Sequence, residues 1–119
     1  MTISIEPRDL SLGERGLLDR LLQHGDFTGA EQLAEQVAEA RVTGGLPTLL
    51  DLEVARTAPR ADVPDGPAPL RAYVETPAGN VEGEILVWVT DGYLSGLEFA
   101  WYTDAPPPEM PPPERVRVE

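Results

Sequence analysis

At 119 residues the chain suits one compact domain (1–119) that buries roughly two thirds of the surface its unfolded form exposes. A hydrophobic fraction of 41% and a charged fraction of 25% exclude the disordered class, and the absence of cysteine excludes disulfides, thiolate metal sites and a cysteine nucleophile. A net charge of -12, from 21 acidic and 9 basic residues, sets nucleic acid and anionic membranes aside as partners.

Every basic residue is arginine. The negative excess leans towards the second half: residues 61–119 carry 11 acids and 3 arginines, residues 1–60 carry 10 and 6. Genome composition or salt adaptation accounts for such a bias, as does an acidic face for a basic partner. No basic region precedes an apolar run at the N-terminus, and no stretch is long and apolar enough to span a bilayer, so a cytoplasmic protein is expected.

Ser11-Leu12-Gly13-Glu14 has the form of a capping box and predicts a helix over about 12–24, with Leu17, Leu18, Leu21 and Leu22 on its buried face. His24 sits at its end, where the helix dipole favours an imidazolium, and Gly25 is expected to stop it. As the chain's one histidine, it can form no histidine pair for a metal. Thr28-Gly29-Ala30-Glu31 repeats the capping pattern and predicts a second helix over about 28–40, burying Ala30, Leu33, Ala34 and Val37.

After Gly44-Gly45 the period changes from helix to strand. Leu50, Leu52 and Val54 alternate with Asp51 and Glu53, predicting a strand over about 49–55, with Arg41 and Val42 in a short strand before it. Arg56 to Pro69 holds four prolines and Asp65-Gly66, and reads as an exposed excursion. Leu70, Ala72 and Val74 alternate over 70–75; a turn at Pro77-Ala78-Gly79-Asn80 leads into a strand over 81–89. Asp91-Gly92 is a strong hairpin signal joining it to a strand over 93–102.

These elements predict an α+β domain: two N-terminal helices on a mainly antiparallel sheet of four or five strands. A two-residue turn at Asp91-Gly92 sets Trp88 opposite Ser95, Leu86 opposite Leu97 and Glu84 opposite Phe99. That register is preferred because a three-residue turn with a bulge would oppose Glu84 and Glu98. It leaves Leu86, Trp88, Tyr93, Leu97, Phe99 and Trp101 on one face, and Ile85, Val87, Val89, Leu94, Glu98 and Tyr102 on the other. Two helices cover only one face. The proline-rich strap 105–113 is expected to cross the aromatic face and return Val116 and Val118 as an edge strand.

The chemistry-bearing candidates follow from that hairpin. Trp101 and Tyr102 point opposite ways, one buried and one open, and with Trp88, Glu98 and Asp104 they make the candidate partner-binding set, since Trp and Tyr dominate binding hot spots. Glu98, among apolar neighbours, is expected to guard a sheet edge, pair with an arginine or act as a desolvated acid. Gly44-Gly45 lacks the lysine and helix of a phosphate loop. No catalytic, cofactor or metal signature is present, so no cofactor is expected.

The leucine helix, Gly25-Asp26-Phe27-Thr28-Gly29-Ala30, the Gly45-Leu46-Pro47 element, Asp91-Gly92-Tyr93-Leu94-Ser95-Gly96-Leu97-Glu98 and Trp101-Tyr102 resemble a group of small actinobacterial proteins with no assigned chemistry. Members often carry cysteines around the Gly-x-Pro element. This chain has none there, so no thiol or metal role carries over. The sequence therefore points to a non-enzymatic interaction module with an acidic surface and an aromatic sheet face, binding a protein partner or a second copy of itself. The alternative is a small-ligand binder or enzyme with a helix-sheet pocket around Glu98.

Overall fold

The capping box at the first helix forms as its residue types dictate. In the structure, a computed structural model describing residues 3–23 and 25–119, the Ser11 N–H donates to Glu14 Oε1 at 2.8 Å and the Glu14 N–H to Ser11 Oγ at 3.1 Å. Helix α1, Leu12–Gln23, follows and buries Leu17, Leu18, Leu21 and Leu22. Residue 24, and with it the expectation for His24, lies outside the described residues. The second capping box is not used. Gly29, left-handed at φ 96°, precedes helix α2, Ala30–Gln36, with no side-chain cap. This helix is shorter than the predicted 28–40, because a 3-10 turn at Val37–Glu39 feeds directly into a strand.

The architecture is α+β, but among the described residues the sheet has eight antiparallel strands rather than four or five. Strand β1, Ile3–Asp9, precedes the helices, so they are not the first element. It is followed by β2 (Ala40–Leu46), β3 (Leu49–Val54), β4 (Gly66–Pro67), β5 (Ala72–Glu75), β6 (Val81–Thr90), β7 (Tyr93–Trp101) and β8 (Val116–Val118). Their order is β1-β2-β3-β7-β6-β5-β8, with β4 paired to β6. Sequence alternation missed β1 because all seven of its residues are exposed. Main-chain pairing to β2 and the Arg8–Glu14 ion pair hold it instead.

The Asp91-Gly92 turn has the two positive φ values, 54° and 81°, of a type I′ hairpin. Thr90 faces Tyr93 and Val89 faces Leu94, as a two-residue turn requires. Beyond them the register departs from expectation. An extra residue, Ser95, is accommodated as a bulge, so that Trp88 opposes Gly96, Leu86 opposes Glu98 and Glu84 opposes Ala100. Leu97 and Phe99 thereby join Ile85, Val87, Val89 and Leu94 in the core, while Glu98 turns to the opposite face. A regular register would have buried the Glu98 carboxylate beside Val87 and Ile85, at a cost of several kcal/mol of desolvation (order of magnitude).

The stretch Arg56–Pro69 is not an exposed excursion. Ala58, Ala61, Val63 and Ala68 are buried against the core, and their small side chains let the loop backbone approach the sheet. Ala61 N–H donates to Gly92 O at 2.9 Å and Ala68 N–H to Val87 O at 2.7 Å. The fully buried Gln36 amide ties this loop to the hairpin. Its Nε2 donates to Pro59 O at 2.8 Å and Gly92 O at 2.9 Å, and its Oε1 accepts the Leu94 N–H at 2.9 Å. Gly92 is required here by space as well as conformation, since a Cβ would lie 2.6 Å from Ala61 O.

The strap also departs from expectation. Met110 and the buried Pro111 pack on the helix-bearing side of the sheet, and Pro113 comes against Gly16 of α1. The returning strand does form: Val116 and Val118 pair with Val74 and Ala72 at the sheet edge. Arg20 Nε donates to Val116 O at 2.6 Å, and Arg115 pairs with Glu82. Helices, loop and strap therefore all share one side of the sheet.

Replacing Gln36 with Leu leaves the buried Leu94 N–H without a partner and removes a donor from the Pro59 and Gly92 C=O groups, and is expected to lower the unfolding free energy by about 2 kcal/mol or more in urea titrations. A loss close to zero would contradict the hub. The Arg8 guanidinium holds the Glu14 carboxyl below its usual range, with the Ser11 N–H adding to it and partial burial opposing it. Its stabilising contribution is present above the unfolded value and lost as pH falls through the lower folded value. Glu14→Ala is expected to cost about 1 kcal/mol at neutral pH. Its deficit against the parent should narrow in unfolding curves below about pH 4; a pH-independent deficit would contradict the assignment.

Candidate protein-interaction face

The side of the sheet opposite the helices is organised by register into transverse rows. One row runs Arg117, Tyr73, Glu84, Ala100 across β8, β5, β6 and β7. The next runs Leu86, Glu98, Leu49, Leu46 across β6, β7, β3 and β2. A third runs Trp88, Gly96, Asp51, Gly44 over the same four strands. Rows two residues apart are separated by about 6.8 Å and strands by about 4.8 Å. Leu86, Trp88, Tyr73 and Leu49 are half-buried by their sheet neighbours, yet none belongs to the hydrophobic core or packs against it.

Trp88 lies opposite Gly96, where a Cβ would meet the Trp88 Cβ and Cδ1 at 3.3 Å. Glycine thus leaves space for the indole to lean across β7. Its Nε1–H donates to Glu98 Oε1 at 2.9 Å. The indole occupies one carboxylate oxygen of Glu98, and among the described residues no arginine forms an ion pair with Glu98 or Glu84. Beside them, Arg117 sits 5.3 Å from the Tyr73 ring centroid, with its Nε 3.2 Å from Glu75 Oε2. Tyr102, 59% exposed, continues the face beyond Ala100. Partial burial and the neighbouring Glu84 carboxylate raise its phenol above the usual value.

Of the five sequence candidates, the structure therefore puts Trp88, Glu98 and Tyr102 on one face, Trp88 and Glu98 in hydrogen-bond contact and Tyr102 two rows beyond Glu98. Trp101 alternates onto the helix-bearing side at the end of β7, and is 39% exposed, so neither aromatic of the Trp101-Tyr102 pair is buried. Asp104 lies in the exposed turn leading to the strap. Glu98 is no edge guard either, because β7 runs between β3 and β6 in the middle of the sheet.

Tyr73, Glu84, Leu49 and Leu46 join the face without having been singled out from sequence. The alternation of Tyr73 with Ala72 and Val74 carried its orientation, but not the register that sets it opposite Glu84 and Arg117.

Two surface concavities lie elsewhere. One of about 480 Å³ lies where the strap passes α1, between Arg8, Pro47 and Met110, and one of about 460 Å³ beside Phe27 and Leu70. Glu98 lines neither, and it stands on the opposite side of the sheet from the helices, so the helix-sheet pocket expected around it does not form. Among the described residues, no three His, Asp or Glu side chains cluster closely enough to hold a metal ion. Among the described residues, no helix is long and apolar enough to cross a membrane. No family model, curated protein or solved structure matches the chain.

If this face is a surface and not a second core, Trp88→Ala and Tyr102→Ala are each expected to cost no more than about 1 kcal/mol of stability. Phe99→Ala, on the other side of the same strand pair, should cost about 3–5 kcal/mol. Equal losses in chemical denaturation would show that the face is structural.

Proposed function

We propose that this protein is a non-enzymatic interaction module, acting in the cytoplasm, that binds a protein partner through the sheet face carrying Leu86, Trp88, Glu98 and Tyr102. The supporting observation is that half-buried apolar and aromatic side chains stand in register there with helices, loop and strap all on the other side. Large aromatics flanked by polar groups are what association hot spots are made of. A ligand pocket around Glu98 has no comparable support, because that carboxylate stands on an open face with its oxygen bonded to an indole.

The experiment compares parent, Trp88→Ala and Leu86→Glu proteins, each verified as folded. Quantitative affinity capture from the source organism's extract is paired with sedimentation velocity over a range of concentrations. Partner recovery, or self-association if the partner is a second copy, is expected to fall at least tenfold in the face variants. Retention of the same bound proteins and the same mass in both variants would contradict the proposal.

A further inference from the structure

From the pairing of aromatics with carboxylates on this face, we infer that its occupant is an extended protein segment carrying arginine at alternate positions, seated on Glu84 and Glu98. The inference rests on the docking face described above and names its chemistry. Glu84 and Glu98 occupy adjacent rows on adjacent strands, Glu98 lying opposite Leu86 and Glu84 two residues before it. Such diagonal neighbours stand about 7–8 Å apart, close to the roughly 6.8 Å between like-facing side chains of an extended chain. Neither carboxylate forms an ion pair among the described residues, although both are half-buried. A half-buried carboxylate gains most from a cation that also excludes water.

The molecule contains one filled example of the same arrangement. Arg117 lies over the Tyr73 ring while its Nε reaches Glu75, so a planar guanidinium fits between an aromatic and a carboxylate on this sheet. Glu84 repeats the pattern without an arginine: it lies directly opposite Tyr73 and diagonal to Tyr102. Glu98 differs in that its Oε1 already accepts the Trp88 indole N–H, which leaves Oε2 for a guanidinium. Guanidinium suits these places better than ammonium because it stacks on aromatic faces while donating in plane to a carboxylate. A second copy of this chain fits poorly, since a face-to-face dimer would juxtapose Glu75, Glu84, Glu98 and Asp51 with their own counterparts.

Two seven-residue extended peptides serve as probes: acetyl-Thr-Arg-Val-Arg-Val-Arg-Thr-amide and its analogue with glutamate for arginine. Titration is followed by amide chemical-shift changes and by Trp88 fluorescence in a Trp101→Phe background. The arginine peptide is expected to bind with shifts centred on Glu84, Leu86, Glu98 and Tyr102. Its affinity should drop at least fivefold in Glu84→Gln and in Glu98→Gln, but less than twofold in Glu35→Gln, which removes the same charge from an exposed position on α2. The proposal is overturned if the arginine peptide gives no saturable shift up to 10 mM, if the glutamate peptide binds equally, or if all three glutamine variants weaken binding alike. Dimerisation through this face in sedimentation would also overturn it. A natural partner lost on Leu86→Glu but unaffected by Glu84→Gln and Glu98→Gln would overturn the arginine assignment while leaving the docking face standing.

Discussion

The placement of one extra residue, Ser95, decides what each side of this sheet is made of. The Asp91-Gly92 turn aligns Val89 with Leu94, and unbroken pairing from there would point Leu97 and Phe99 away from Ile85 and Val87 and push Glu98 in among them. The bulge reverses both outcomes within a single residue. A side-chain period of two makes any one-residue shift exchange the faces completely. The burial of two large apolar side chains and the solvation of one carboxylate thus act together to select the bulged register.

Once the faces are sorted, the remaining elements have one place to go. The apolar stripes of α1 and α2, the small residues of the 56–69 loop and the strap residues Met110 and Pro111 all meet the side carrying Ile85, Val87, Leu97 and Phe99. Gln36 fastens this assembly at the hairpin end, because its amide answers backbone groups from the loop, the turn and β7 at once. Arg20 and Arg115 fasten the strap end. With every covering segment used on one side, the other side keeps its aromatic and aliphatic rows open, framed by Glu75, Glu84, Glu98 and Asp51. The proposed docking face rests on that asymmetry.

Much of this was legible in the residues. The leucine spacing of α1, the Ser11–Glu14 cap, the Asp91-Gly92 turn and the return of Val116 and Val118 were readable because each is a local pattern with a local physical cause. The strand β1 was not, since nothing in it is buried and its pairing depends on a partner distant in sequence. The burial of the loop was not legible either, because prolines signal irregular backbone, and irregular backbone can still be buried when alanines line it and its polar groups find partners. The bulge had a signal of its own: the regular register places Glu98 and Gly96 in the core, a conflict that one inserted residue removes. That same misplacement put Trp101 beside Trp88 on the candidate face and separated Glu98 from it.

The central claim, that Glu98 stands beside Leu86 and Trp88 on a face separate from Leu97 and Phe99, is tested most directly by cross-strand nuclear Overhauser contacts along β6 and β7. The account predicts contacts that pair Leu86 with Glu98, Val87 with Leu97 and Trp88 with Gly96. Contacts pairing Leu86 with Leu97 and Ile85 with Glu98 would contradict it, and would place the carboxylate in the core.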